Sequence, residues 1–137
     1  MNRGVIVAIG NLGLVSAPVR DLVEEFGWCL DSAPDLDHLR NLASRSRVVA
    51  VMLDARALGM SWDHALESVR KIAPRALPIV CHRFSEDIEW PELVDAGAFH
   101  ALPVPFDLSE VRQSLGYVSA ASLQRHSEKP LSMLQVA

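Results

Sequence analysis

The chain has 137 residues and a formal net charge of -4, and half of its residues are hydrophobic. This length suits one compact domain with a hydrophobic core, and the apolar content excludes a disordered chain. The acidic balance, without a basic stripe, argues against direct binding of nucleic acid or of a membrane surface.

The first residues predict a buried strand rather than a targeting segment. Residues 4–9 are apolar, and glycines interrupt the apolar run before helical spacing begins at Pro18, so we expect no leader here. Gly27 suits the position just past the end of this first helix, and residues 28–30 predict a short second strand. Asp35 is placed to cap the second helix.

The middle of the chain predicts two more strand–helix pairs. Residues 48–53 are apolar without alternation, which is typical of a parallel strand covered on both faces. Ser61 can cap the third helix, and residues 77–81 predict the fourth strand. A short fourth helix should begin near Pro91 and end at Gly97.

The last predicted strand is 99–103, and we place it at a sheet edge because Pro103 cannot donate a hydrogen bond to a neighbouring strand. Asp107 and Glu110 then form a D-x-x-E pattern that is typical of a helix start. The inner face of this last helix is predicted from four apolar residues, Leu108, Val111, Leu115 and Val118.

Five strand–helix repeats predict a three-layer, doubly wound α/β domain with a parallel sheet over residues 1–126, followed by a tail or linker at 127–137. In such sheets, ligands bind at the carboxyl ends of the strands. Asp54 directly follows the third strand and is therefore the first candidate site residue. Cys29 and Cys81 lack the spacing of metal ligands, and we expect two reduced thiols in a cytoplasmic protein.

Three local stretches resemble the receiver domain of bacterial two-component response regulators: VVAVMLD followed by Gly59-Met60, DAGAFHALPVPFD at 95–107, and Gly27 after the first helix. The resemblance implies a flavodoxin-like sheet of order 2-1-3-4-5. It also implies a site with two acidic residues that help to hold a divalent cation, a phosphoacceptor aspartate, a Thr or Ser, and a lysine before a proline. The cations are needed because an anionic phosphoryl group must approach a carboxylate.

The resemblance assigns the phosphoacceptor position to Asp54, but other positions of the family's site hold residues of different chemistry. The acid pair falls on Gly10 and Asn11, the hydroxyl on His82 or Arg83, and the lysine on Val104 before Pro105. Because Mg²⁺ prefers a nearly octahedral shell of oxygens, we expect no metal site and weak Mg²⁺ binding at most, and we expect no other cofactor.

Asp54 has two interpretations. It is either a signalling residue, or a polar strand-end residue that caps a loop or pairs with Arg56 or Arg83. One hypothesis is that a cation at His82 or Arg83 occupies the place of the phosphate. The alternative for Arg83 is a solvated side chain on a loop.

The resemblance also implies a cis bond between Val104 and Pro105. It makes His100 a candidate switch residue, and the alternative is a half-buried histidine without a signalling role. Trp90 either covers the core or is exposed to a partner.

The expected function is that of a non-enzymatic signalling domain of a two-component or phosphorelay system. It would act through a protein partner or an output domain, without phosphorylation, and a homodimer is a further candidate. The alternatives are a working phosphoacceptor at Asp54 with unusual metal ligands, and a small-molecule-binding protein on the same fold.

Overall fold

A computed structural model describes residues 4–10, 17–56, 58–82 and 90–136, with side chains through Ser122. Strands and helices alternate along these residues. The strands are β1 (Val5–Ile9), β2 (Cys29–Ala33), β3 (Val48–Leu53), β4 (Leu77–His82) and β5 (His100–Pro103). The helices are α1 (Ala17–Glu25), α2 (Leu36–Arg45), α3 (Trp62–Ile72), α4 (Trp90–Asp95) and α5 (Leu108–Val136).

The sheet is parallel and has the predicted order, β2-β1-β3-β4-β5. All residues of β1 and β3 are buried, which explains why neither strand alternates between apolar and polar residues. β5 lies at the edge, as Pro103 predicts.

Two apolar layers cover the sheet. One layer joins α1 and α5 to the sheet through Val19, Leu22, Val23, Val111, Leu115 and Val118. The opposite layer contains apolar residues of α2, α3 and α4: Leu39, Leu42, Ala65, Leu66, Val69 and Leu93. Successive strand residues alternate between these layers, so Met52 faces the α1/α5 layer and Leu53 the other.

The helix ends follow the predicted signals. Gly27 has a φ of +85° just past α1, where its N–H donates to Glu24 O (2.9 Å) and the N–H of Trp28 donates to Val23 O (3.2 Å). This pair of bonds is a Schellman motif, which favours glycine because of its positive φ.

Side chains cap the starts of three helices. Asp35 accepts a hydrogen bond from the backbone N–H of His38 (2.9 Å), and Ser61 caps α3 in the same way. Asp107 accepts from the N–H of Ser109 (2.8 Å). The pKa of Asp107 is held below its ordinary value chiefly by its hydrogen bond from the Ser109 hydroxyl.

Two predicted details are wrong or incomplete. β2 runs to Ala33 rather than to residue 30, because its backbone pairs with β1 as far as Ile9 while its polar residues face solvent. Leu108 does not belong to the inner face of α5, since 46% of it is exposed. Residues 127–136 of the predicted tail or linker are helical and continue α5. Within the described residues, we find no helix with the length and apolarity of a membrane span.

Candidate functional site at the carboxyl edge of the sheet

Strand register brings four of the sequence-predicted site residues, Gly10, Asp54, His82 and Val104, to one edge of the sheet. β1 and β3 align Ile9 with Leu53, and β4 and β5 align His82 with Pro103. Asp54 N–H donates to the carbonyl of Ile9 at 3.2 Å, which fixes the position of Asp54 just beyond β3.

Asp54 is buried at this edge, with 2% of its surface exposed. Asp54 and Ser114 are the two buried polar residues among those that the structure describes. Arg56, one of the predicted partners of Asp54, is exposed at the surface. The other predicted partner, Arg83, lies outside the described residues. The hypothesis that it pairs with Asp54 therefore stays a prediction.

In the pairing of β3 with β4, Leu53 aligns with Val80. The residues that follow them, Asp54 and Cys81, are therefore neighbours. Burial raises the pKa of the Cys81 thiol far above its ordinary value, and the negative charge of Asp54 raises it further. Both effects favour the protonated thiol over the nucleophilic thiolate. Cys29 and Cys81 are free cysteines, as predicted.

Gly10, to which the resemblance assigns the first acid position, has a φ of +95°, and its N–H donates to Ala33 O at 3.1 Å. The second position, Asn11, lies outside the described residues. In the sequence, the first acidic residue is Asp21, which is exposed on α1.

Val104 is the residue to which the resemblance assigns the lysine position. It is 7% exposed and belongs to the α1/α5 apolar layer. Its N–H donates to the carbonyl of His82 at 2.7 Å, which holds the end of β5 against β4. The following bond to Pro105 is cis, as the resemblance implies.

The described residues at this edge do not fit a magnesium site. Within 4–10, 17–56, 58–82 and 90–136, no three His, Cys, Asp or Glu residues come together where they could hold a metal ion. Proteins usually bind Mg²⁺ through one or two carboxylates, whereas Gly10, to which the resemblance assigns the first acid position, has no side-chain oxygen.

His100 lies on β5, away from this cluster, and faces α5. Its Nδ1 is 2.9 Å from Ser114 Oγ, and its ring meets that of Tyr117 edge-on at a centroid distance of 5.4 Å. Burial lowers the pKa of His100 from its ordinary value, and the charge of Glu110 opposes this effect. Sequence reasoning missed Ser114, although a serine beside Leu115 on the apolar stripe of a helix is a recognisable signal.

An open groove of about 410 Å³ lies between α1 and the start of α5. Arg112 and Glu25 line it and form an ion pair of 3.1 Å. Its lining does not include Asp54, His82 or Val104, so it does not join the candidate site.

No protein-family model and no curated protein matches the sequence. Solved structures do match. The receiver domain of the response regulator AraT from Geobacillus stearothermophilus is 21% identical, with a TM-score of 0.74 over 92% of this chain and 99% of that chain. A structure described as adenylate cyclase from Rhodopirellula baltica is 17% identical, with a TM-score of 0.76 over 97% and 98%.

A third match is the receiver domain of a sensor histidine kinase from Pseudomonas aeruginosa, which holds magnesium in its active-site cleft. It is 16% identical, with a TM-score of 0.64 over 88% of this chain and 99% of that chain. At these identities the likeness establishes the fold, which is that of response-regulator receiver domains.

Proposed function

We propose that this protein is a receiver-like signalling domain that acts through protein–protein contacts without phosphorylation of Asp54. It has the receiver fold, with Asp54 at the end of β3. The observation that carries the proposal is the burial of Val104 at the lysine position, where the family places a cation.

The physical argument is electrostatic. Phosphoryl transfer to a carboxylate needs cations that neutralise both the incoming phosphoryl group and its acceptor. Val104 contributes no charge, and Gly10 contributes no side-chain metal ligand. Asp54 is also 2% exposed, which leaves a phosphodonor almost no accessible carboxylate surface.

The expected result of incubating the full chain with Mg²⁺ and a small phosphodonor is no added phosphate in the intact mass. The Asp54→Asn variant, measured in parallel, identifies any phosphate that reaches Asp54. A phosphate gained by the wild type and absent from this variant would overturn the proposal in favour of a working phosphoacceptor.

The contact surface that we propose is the α4–β5–α5 face, defined by Trp90 and Val94 on α4, His100 on β5 and Tyr117 on α5. Three of these side chains are large, apolar or aromatic, and exposed: Trp90 by 38%, Val94 by 47% and Tyr117 by 47%. Among the described residues, no strand pairs with the outer side of β5. The proposed occupant is a protein partner or an output domain.

Replacing Val94 with aspartate should abolish capture of a partner that the wild type retains, because it places a charge in the apolar centre of a contact. Leu108→Asp is the matched control, since Leu108 is exposed to a similar degree but lies at the start of α5 outside this face. Pull-down measures partner binding, and sedimentation velocity of the same variants shows whether a second copy binds instead. Equal binding by both variants would contradict the assignment of this face.

A further inference from the structure

The amino edge of the sheet, opposite the edge that holds Asp54, carries a cluster of arginines. β3 and β4 are neighbouring parallel strands, so the segments that precede them lie side by side at this edge. Arg47 directly precedes β3, and Arg75 lies two residues before β4. Two more arginines lie in the last turns of the helices that lead into these strands, Arg45 on α2 and Arg70 on α3. All four are exposed, and we call them the amino-edge basic surface.

Acidic residues do not balance this charge locally. The sequence has no Asp or Glu from residue 38 to residue 53 or from residue 68 to residue 85. In the described part of the chain, three of the four arginines form no ion pair: Arg45, Arg47 and Arg70. Neighbouring like charges repel one another. This repulsion destabilises the domain by itself and is relieved when an anionic group binds.

Electrostatics at the helix ends explains only half of the cluster. A cation in the last turn of a helix is stabilised by the partial negative charge of the helix C-terminus, which accounts for Arg45 and Arg70. Arg47 and Arg75 lie beyond the helices, where this effect has fallen off. Their positions at the starts of two adjacent strands therefore need another explanation.

Arg47 is positioned by contacts at both of its ends. Its backbone carbonyl accepts a hydrogen bond from the N–H of Val5 at 2.8 Å. A Cβ on Gly4 would lie 3.1 Å from Arg47 Nη2 and 2.7 Å from Trp28 Cδ1, so the guanidinium group lies beside the indole ring. A side chain that is ordered before binding loses less entropy when a partner docks, and arginine is enriched among the residues that dominate protein interfaces.

We propose that the amino-edge basic surface binds an acidic segment of a protein partner. Carboxylates of the segment pair with the guanidinium groups, whose planar donors match carboxylate geometry. A short segment fits better than a nucleic acid or an anionic membrane, because exposed acidic residues flank the surface: Glu24 near the end of α1 and Asp95 at the end of α4. A longer polyanion meets these repulsive charges. The surface is separate from the α4–β5–α5 face, so the inference goes beyond the proposed function and does not depend on it.

The test is a titration of the ¹⁵N-labelled full chain with an octaglutamate peptide, followed by amide NMR. Saturable shifts are expected at residues 45–48 and 70–76. Replacing both Arg45 and Arg47 with glutamine should weaken binding by about tenfold, because charge-assisted contacts are lost. Arg20→Gln, at an exposed position on α1, is the matched control and should bind like the wild type. Val94→Asp should also bind like the wild type, which separates this surface from the α4–β5–α5 face.

An octathymidylate oligonucleotide and phosphatidylserine vesicles are the comparison ligands. Stronger binding of either one than of the peptide at the same residues would overturn the proposal. Absence of shifts, shifts that lie mainly elsewhere, or equal losses in Arg20→Gln and the double variant would overturn it too. The wild-type titration decides the question even if a variant does not fold, and its result is independent of the phosphorylation experiment.

Discussion

Replacing Leu115 with alanine is expected to lower the free energy of unfolding by about 2–5 kcal/mol, the range for large-to-small substitutions in packed cores. Leu115 is 1% exposed and lies in the α1/α5 layer beside Val111 and Val118. Truncation removes apolar contacts on the sheet-facing side of α5 and leaves a cavity that the neighbouring side chains fill only in part. Urea unfolding, followed by circular dichroism, measures the change.

Leu108→Ala is the matched control on the same helix. Leu108 is 46% exposed, so the same chemical change should alter the stability by no more than about 0.5 kcal/mol. Equal losses at the two positions would show that both leucines face the core, as the sequence pattern predicts, and would contradict the packing of α5 described above.

A methyl group at Gly4 is expected to lower the free energy of unfolding by about 1–3 kcal/mol through overpacking. A Cβ at this position would lie 2.5 Å from Val49 Cγ2 and 2.7 Å from Trp28 Cδ1, closer than van der Waals contact allows. Both neighbours belong to the α1/α5 layer, so neither can move without disturbing the core. Thermal and urea unfolding of Gly4→Ala measure the loss.

Gly116→Ala should raise the free energy of unfolding, in contrast to Gly4→Ala. Gly116 lies within α5, and a Cβ there would meet nothing within 4 Å. Alanine is a better helix former than glycine, so a gain of about 0.5–1 kcal/mol is expected. A loss of stability at Gly116, or none at Gly4, would refute this account of the two glycines.

The candidate site lies where the receiver fold places its phosphorylation site, but it lacks charged side chains at two neighbouring positions. Asp54 lies at the sheet edge where a receiver domain would have its phosphoacceptor. The neighbouring positions, however, hold Gly10 and Val104. A fold does not determine what its site does, because the chemistry depends on charges placed at a few positions. For this reason our proposed function depends on protein–protein contacts and not on phosphoryl transfer.

Much of the fold follows from local patterns. The unbroken apolar run at 48–53 predicts a buried parallel strand, Pro103 predicts an edge strand, and Asp35 predicts a helix start, and the structure confirms all three. These predictions succeed because each depends on hydrogen bonding or burial within one element.

Tertiary structure decided the details that depend on residues distant in sequence. Pairing with β1 set the length of β2, and the packing of α5 against the sheet buried Leu115 but left Leu108 exposed. The sequence by itself determined the order of strands and helices, and that Asp54 directly follows a strand. Only the tertiary structure joined His100 to Ser114 and buried Val104, because such contacts depend on how separate elements pack, which no local pattern encodes.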